Sequence, residues 1–200
     1  MALCGAETRV SVKRKVHRGS AQRWAGLDDG SAVSLGEAVE ELRRGAAAAS
    51  EGGAAAAAAQ PSLQLHDLSL PMHCPALAAE LQIPTFFAAD LMQRVPPSTH
   101  SGLTEMRDYW PSLFAGLAGP GSGLHADFLD TSAWMVLLQG EKHWRVAPPT
   151  QRAALLESAE RANLFRGDLF GGDGGDGEGL AGLEYYEGFL RPGEAMHVLA

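Results

Sequence analysis

Residues Gly121 to Trp144 read GSGLHADFLDTSAWMVLLQGEKHW, and the pattern of this stretch decides the fold. Glycine and serine at 121–123 fit a turn. Leu124 to Phe128 then predicts a short strand. Side chains two apart on a strand share a face, so His125 and Asp127 point the same way. An imidazole beside a carboxylate suits divalent iron, which takes mixed nitrogen and oxygen ligands and leaves positions open. Ala133 to Gln139 predicts a second strand, apolar almost throughout and so covered on both faces. Gly140-Glu141 predicts a tight turn, and Lys142 to Ala147 a third strand ended by Pro148-Pro149. Lys142 sits inside that apolar strand, near Trp144. A lysine there either snorkels to water or meets an anion.

Downstream, Gln151 to Phe165 carries Leu155, Ala159 and Ala162 on one helical face. Gly171 to Gly179 is an acidic, glycine-rich loop. Tyr185 to Leu190 and Glu194 to Leu199 read as strands around an Arg191-Pro-Gly turn. Upstream, Tyr109-Trp110 and Leu113 to Gly116 read as a strand approaching the site. Pro75 to Leu81 is a short helix with proline at its start, and helix is expected on to residue 94. Leu63 to Leu70 alternates as a strand. Ala46 to Gln60 is low in complexity and has no amphipathic face, so it reads as a surface insertion. Ser34 and Glu37 form a capping box for a helix through Ala38, Val39 and Leu42. Arg43 and Arg44 suit its C-terminal dipole, and Gly45 can end it. Val10, Val12 and Val16 alternate among basic residues as an edge strand.

Three features, in order and spacing, resemble the Jumonji C (JmjC) family of iron(II)- and 2-oxoglutarate-dependent oxygenases. They are His125-Ala-Asp127, Thr131-Ser-Ala-Trp134 and Gly140-Glu-Lys142-His-Trp144. The segment IPTFFAADLM at 83–92 is similar to the region before the core of the small JmjC hydroxylases, and Arg191-Pro-Gly-Glu194 to the family's PGE turn. The resemblance implies a mostly β (α+β) fold: a cupin-like double-stranded β-helix, or jelly roll, flanked by N-terminal helices. It implies His125 and Asp127 as two iron ligands. It also implies Lys142, Ser122, Thr131 and Trp134 around the co-substrate 2-oxoglutarate, with Lys142 pairing its distal carboxylate. Relatives with TSAW often continue with asparagine where this chain has Met135, which removes one polar contact to the co-substrate. The family's second metal histidine lies beyond the PGE glutamate, at a position past Ala200. The expected fold therefore lacks its last strands. His197 is a further imidazole nearby, but it aligns with an apolar strand position.

The implied activity is hydroxylation of a protein side chain or demethylation of a methylated lysine or arginine. The rival is a non-catalytic cupin-like binding module, favoured if the third ligand is missing. A protein or peptide is the expected partner, and the sequence does not fix an oligomeric state.

The 200 residues carry a net charge of −8, which argues against general nucleic-acid binding. Basic residues crowd 1–30, read as a separate N-terminal segment. Residues 31–200 read as one JmjC/cupin domain containing the 46–60 insertion. Cys4 and Cys74 are the two cysteines and form no CxxC, which fits a reducing compartment without a disulfide framework. No run reaches the roughly 18 apolar residues of a membrane span. The expected location is intracellular, cytoplasmic or nuclear.

Overall fold

The computed structural model describes residues 3–14, 30–59 (backbone only for 52–59), 63–83, 94, 96, 109–118, 121–127, 131–155, 163–165, 169–170 and 182–199. Val16, most of the helix expected at 81–94, residues 156–162 and the glycine-rich loop at 171–179 lie outside the described residues. The chain is mostly β with a few helices. Its contacts form two compact units, Met1–Arg23 with Leu27–Pro120, and Trp24–Gly26 with Gly121–Ala200.

The first unit is an antiparallel sheet of four strands in the order β2-β1-β3-β4. The strands are β1 (Arg9–Arg14), β2 (Ser31–Ser34), β3 (Leu63–Ser69) and β4 (Ser112–Gly116). Alternation turns Val10 and Val12 inward, and they are 3% and 0% exposed. They pack with Leu35, Leu63, Leu65 and Leu68 in one core. The edge-strand reading of this segment is therefore corrected, because β1 pairs with β2 on one side and β3 on the other. Its valines are what the interior position requires. Tyr109 and β4 are likewise part of this unit, since β4 pairs with β3.

Helix α1 (Leu35–Ala59) starts where the capping box predicts. The Ser34 amide donates to Glu37 Oε2 at 2.9 Å, and the Glu37 amide donates to Ser34 Oγ at 3.2 Å. Two more first-turn amides, Leu35 and Gly36, donate to the carbonyls of Thr8 and Ala6, both at 2.8 Å. Gly45 does not end the helix, which runs on through the alanine-rich stretch. Alanine is the best helix former, so the run propagates a helix already nucleated and packed. Gly45 instead makes room: a Cβ there would lie 2.4 Å from Leu117 Cδ1. Arg43 and Arg44 consequently sit mid-helix, away from the negative end of the dipole.

Strand β3 leads directly into α2 (Leu70–His73) and α3 (Pro75–Glu80). Cys74 joins the two helices and is bonded to Cys4 in a disulfide, with the Cα atoms 4.5 Å apart. The expectation of two separate thiols is corrected. The pair is brought together by chain folding across 70 residues, which no local spacing reveals. The cysteines thus lend no support to a reducing compartment. Among the described residues, no helix is long and apolar enough to cross a membrane.

The second unit contains β5 (Ala133–Val136), β6 (Lys142–Val146), β7 (Tyr186–Leu190) and β8 (Ala195–Val198). Strand β5 pairs with β8 and β6 with β7, so one antiparallel pair is nested inside the other. Backbone bonds carry the outer pairing on to Leu137, which donates to Glu194 and accepts from Gly193. Residues 138–141 then face 191–193, one residue fewer, before the inner ladder starts at Lys142 and Leu190. That extra residue bends the ribbon at a corner. Gly140 and Gly193 sit there with φ of +87° and +86°, conformations glycine adopts without strain. Gly140-Glu141 and Arg191-Pro-Gly are therefore corners and not the reversals expected, since β5 and β6 do not pair with each other. Strand β5 is shorter than expected and only half-buried, and Leu138 beyond it is 70% exposed.

The helix expected from Gln151 to Phe165 is corrected at both of its described ends. A 3-10 turn (Pro149–Ala154) ends at extended Leu155. Leu164 and Phe165 are extended and buried, and they belong to the site.

Candidate functional site

The HAD segment is held by residues 163–165. His125 forms an isolated antiparallel bridge with Leu164. The Ala126 amide donates to Asn163 O and the Phe165 amide to Leu124 O, both at 2.9 Å. The Asn163 side chain donates to Ala126 O at 2.8 Å. The expected strand is thus a single bridge and not a ladder, yet His125 and Asp127 still converge. His125 Nε2 lies 3.5 Å from Asp127 Oδ1, with the side chains 22% and 41% exposed.

His125 Nδ1 lies 2.7 Å from the Gly123 carbonyl, which can only accept, so Nδ1 carries the proton. In the neutral imidazole Nε2 is then the bare nitrogen, on the side that faces Asp127. This is the tautomer a metal needs, fixed by a backbone carbonyl. Burial pulls the imidazole's pKa down. The hydrogen bonds that the ring gives to Asp127 and to the Gly123 carbonyl, with the Asp127 charge, outweigh it, and the net shift is upward. The Lys142 ammonium acts against that rise.

Lys142 opens β6. Its Nζ donates to Met135 Sδ at 3.4 Å and sits 4.5 Å from the centre of the Trp144 ring. Burial lowers its pKa. Among the described residues it has no carboxylate partner. A half-buried ammonium on a thioether and an indole face is well placed for an anion and poorly placed for water.

Strand alternation separates the other expected residues. Met135 and its opposite Met196 share one face of the β5–β8 pair, while Trp134 and its opposite His197 share the other. Trp134 thus projects from the face opposite Met135, away from Lys142, and so does His197. Ser122 and Thr131 are exposed. The structure brings His125 and Asp127 together, and it sets Lys142 against Met135 and Trp144. Sequence reasoning missed Met135 as a contact of Lys142. The signal was the alternation within β5, which puts residue 135 and not 134 on the lysine's side. Among the described residues, no three histidine, cysteine or acidic side chains are grouped to hold a metal.

Beside Trp144 a cleft of about 460 Å³ opens, lined by Gly188, Phe189 and Leu190 of β7 and Glu194, Ala195 and Met196. On the opposite face of β6, Glu187 accepts from His143 and Arg145, each at 2.7 Å. Those bonds hold its carboxyl below the usual range.

No family model matches the chain. It is 34% identical over 88 residues to the arginine-specific demethylase JMJ22 of Arabidopsis thaliana. That match covers 44% of this chain and 16% of the relative, so the chain spans a small part of the protein it resembles. The match supports a JmjC-related domain.

Proposed function

We propose that this chain carries the iron- and 2-oxoglutarate-binding part of a JmjC-type oxygenase on a cupin-like jelly roll. The nested pairing of β5–β8 and β6–β7 around a bent corner is the ladder pattern of a jelly roll and supports that fold. The observation that carries the function is the His125–Asp127 pair with its preset tautomer, together with Lys142, a cation without a carboxylate among the described residues. Nε2 of His125 and a carboxylate oxygen of Asp127 fit two adjacent positions on iron(II). Lys142 fits the distal carboxylate of 2-oxoglutarate as a point charge in an apolar wall. Ser122 and Thr131 flank the metal pair in sequence and would supply hydroxyls at the rim. Iron(II) with 2-oxoglutarate supplies oxygen activation and oxidation of a C–H bond. The chain's own residues bind, orient and charge-balance these groups.

The substrate in this reading is a protein side chain, hydroxylated or, if N-methylated, demethylated. The similarity to an arginine-specific demethylase favours methylated arginine. The second reading, a binding module without turnover, is favoured by the absence of a third metal-ligating side chain near the pair among the described residues. Lys142→Ala should weaken 2-oxoglutarate binding by about 1.5–3 kcal/mol, the size of a hydrogen bond to a charged group. Calorimetry on the metal-loaded chain measures it, and an unchanged affinity refutes the role of Lys142. Succinate release separates the two readings. Binding without succinate identifies the module, and binding with succinate the oxygenase.

A further inference from the structure

Glu194 closes the Arg191-Pro-Gly turn and lines the cleft of about 460 Å³ beside Trp144. Its Oε2 accepts from the Arg191 amide at 2.7 Å, which fixes the direction of the carboxylate. A carboxylate offers about four acceptor sites, so a single amide leaves most of its capacity open. The turn's own cation faces another acid, with Arg191 Nε 3.4 Å from Glu141 Oε2. Among the described residues no cation pairs with Glu194.

The wall around that carboxylate is apolar, made by Leu190, Ala195 and Met196 with Phe189 and Trp144. Gly188 stands in the lining as well, and a Cβ built there meets nothing within 4 Å. The cleft falls within the roughly 300–1,000 Å³ of ligand sites, which commonly join apolar walls to a few fixed polar groups. The acid sets the sign of the ligand as positive. The apolar wall asks for an alkyl stem behind the charge. Arginine and lysine side chains combine the two, with a stem that packs on apolar surface and a cation at the tip.

We propose that this cleft docks a cationic side chain, arginine or lysine, of a bound protein, with Glu194 receiving the charge and Gly188 keeping the cleft open. Among the described residues, neither the metal pair nor the 163–165 segment that holds it lines the cleft. The side chain it takes is therefore a different one from the side chain oxidised, and the cleft is a second point of contact on the protein substrate. That place on the substrate rests on the reading of the chain as an oxygenase of protein side chains. The affinity for a cation does not.

The test uses the full 200-residue chain, labelled with nitrogen-15. The probes are glycine-flanked pentapeptides whose central residue is arginine, lysine or citrulline, the neutral counterpart of arginine. The arginine peptide should shift the backbone amide signals of Gly188 and Ala195, and its affinity should fall as salt is added. The citrulline peptide should leave those signals in place. Glu194→Gln should weaken arginine binding about fivefold, the size of one partly exposed ion pair. Glutamine can still accept from the Arg191 amide, so the circular dichroism should not change. Gly188→Leu should weaken binding further by filling the cleft. Arginine binding above lysine identifies a guanidinium site, and equal binding an unselective cation site. Citrulline binding as well as arginine, or Glu194→Gln binding arginine as tightly as the wild type, overturns the proposal. Titration with 2-oxoglutarate is read separately. A chain that binds 2-oxoglutarate but no cationic peptide refutes the cleft alone. One that binds the peptide but not 2-oxoglutarate keeps the cation site and refutes its place in an oxygenase.

Discussion

Breaking the Cys4–Cys74 bond, which ties Cys4 to the core residue Cys74, should cost the first unit a large share of its stability. The bond spans 70 residues of sequence. Cross-linking a loop of that length removes chain entropy from the unfolded state worth about 4 kcal/mol at 25 °C. Whole domains are typically stable by only about 5–15 kcal/mol. Cys74 is fully buried and Cys4 half-buried, so reduction goes to completion once the chain opens in urea. The assay is urea unfolding followed by circular dichroism, with and without dithiothreitol. With a slope of about 2 kcal/mol per molar urea, the midpoint should fall by about 2 M on reduction. A Cys4→Ala, Cys74→Ala double variant should unfold at a low midpoint that reductant no longer moves. A reductant shift below about 0.5 M, or two free thiols titrating in the unreduced, denatured chain, refutes the reasoning.

Gly45→Ala gains about 1 kcal/mol of helix propensity but drives a methyl into Leu117, so its measured stability should stay near that of the wild type. Gly45→Leu should instead cost about 1–3 kcal/mol by overpacking, and a stabilised leucine variant would show that the contact is absent. Tyr109 donates to the Asp67 carbonyl at 2.8 Å, and burial, then the Asp67 charge, push its phenol up to about 12. Its folded value exceeds the unfolded value of about 10, so its contribution is whole below pH 10 and is lost as the pH rises through 12. Absorbance titration of the phenolates, compared with Tyr109→Phe, should show this late ionisation. Ser34→Ala should lower thermal stability by about 1 kcal/mol as the cap is lost. The Glu37 carboxyl is held below its ordinary value by the Ser34 amide and hydroxyl. Its contribution is therefore present above the ordinary glutamate value and fades as the pH falls through the folded one, and Glu37→Gln should flatten that acid limb.

Features whose cause is local are legible in the residues alone. The capping box needs only Ser34 and Glu37 three residues apart, and it is made as read. Strands β3, β6 and β7 follow from alternation and flanking turn residues, and the start of α3 from proline. The closeness of His125 and Asp127 follows from their spacing alone, so it survives even though a bridge replaces the expected strand. The remaining features depend on partners distant in sequence. The alternation of Val10 and Val12 fits an edge and an interior strand equally well until β3 supplies the second neighbour. Gly45 is a stop signal in isolation and a packing site once Leu117 lies against it. Cys4 and Cys74 carry no signal until the sheet and helices bring them together. A glycine-containing corner and a reversal look the same locally, and only the pairing of β5 with β8 and β6 with β7 separates them. That pairing also fixes which faces meet. It gives Lys142 the thioether of Met135 and the ring of Trp144, and it sends Trp134 to the other side, because side chains one residue apart on a strand point opposite ways.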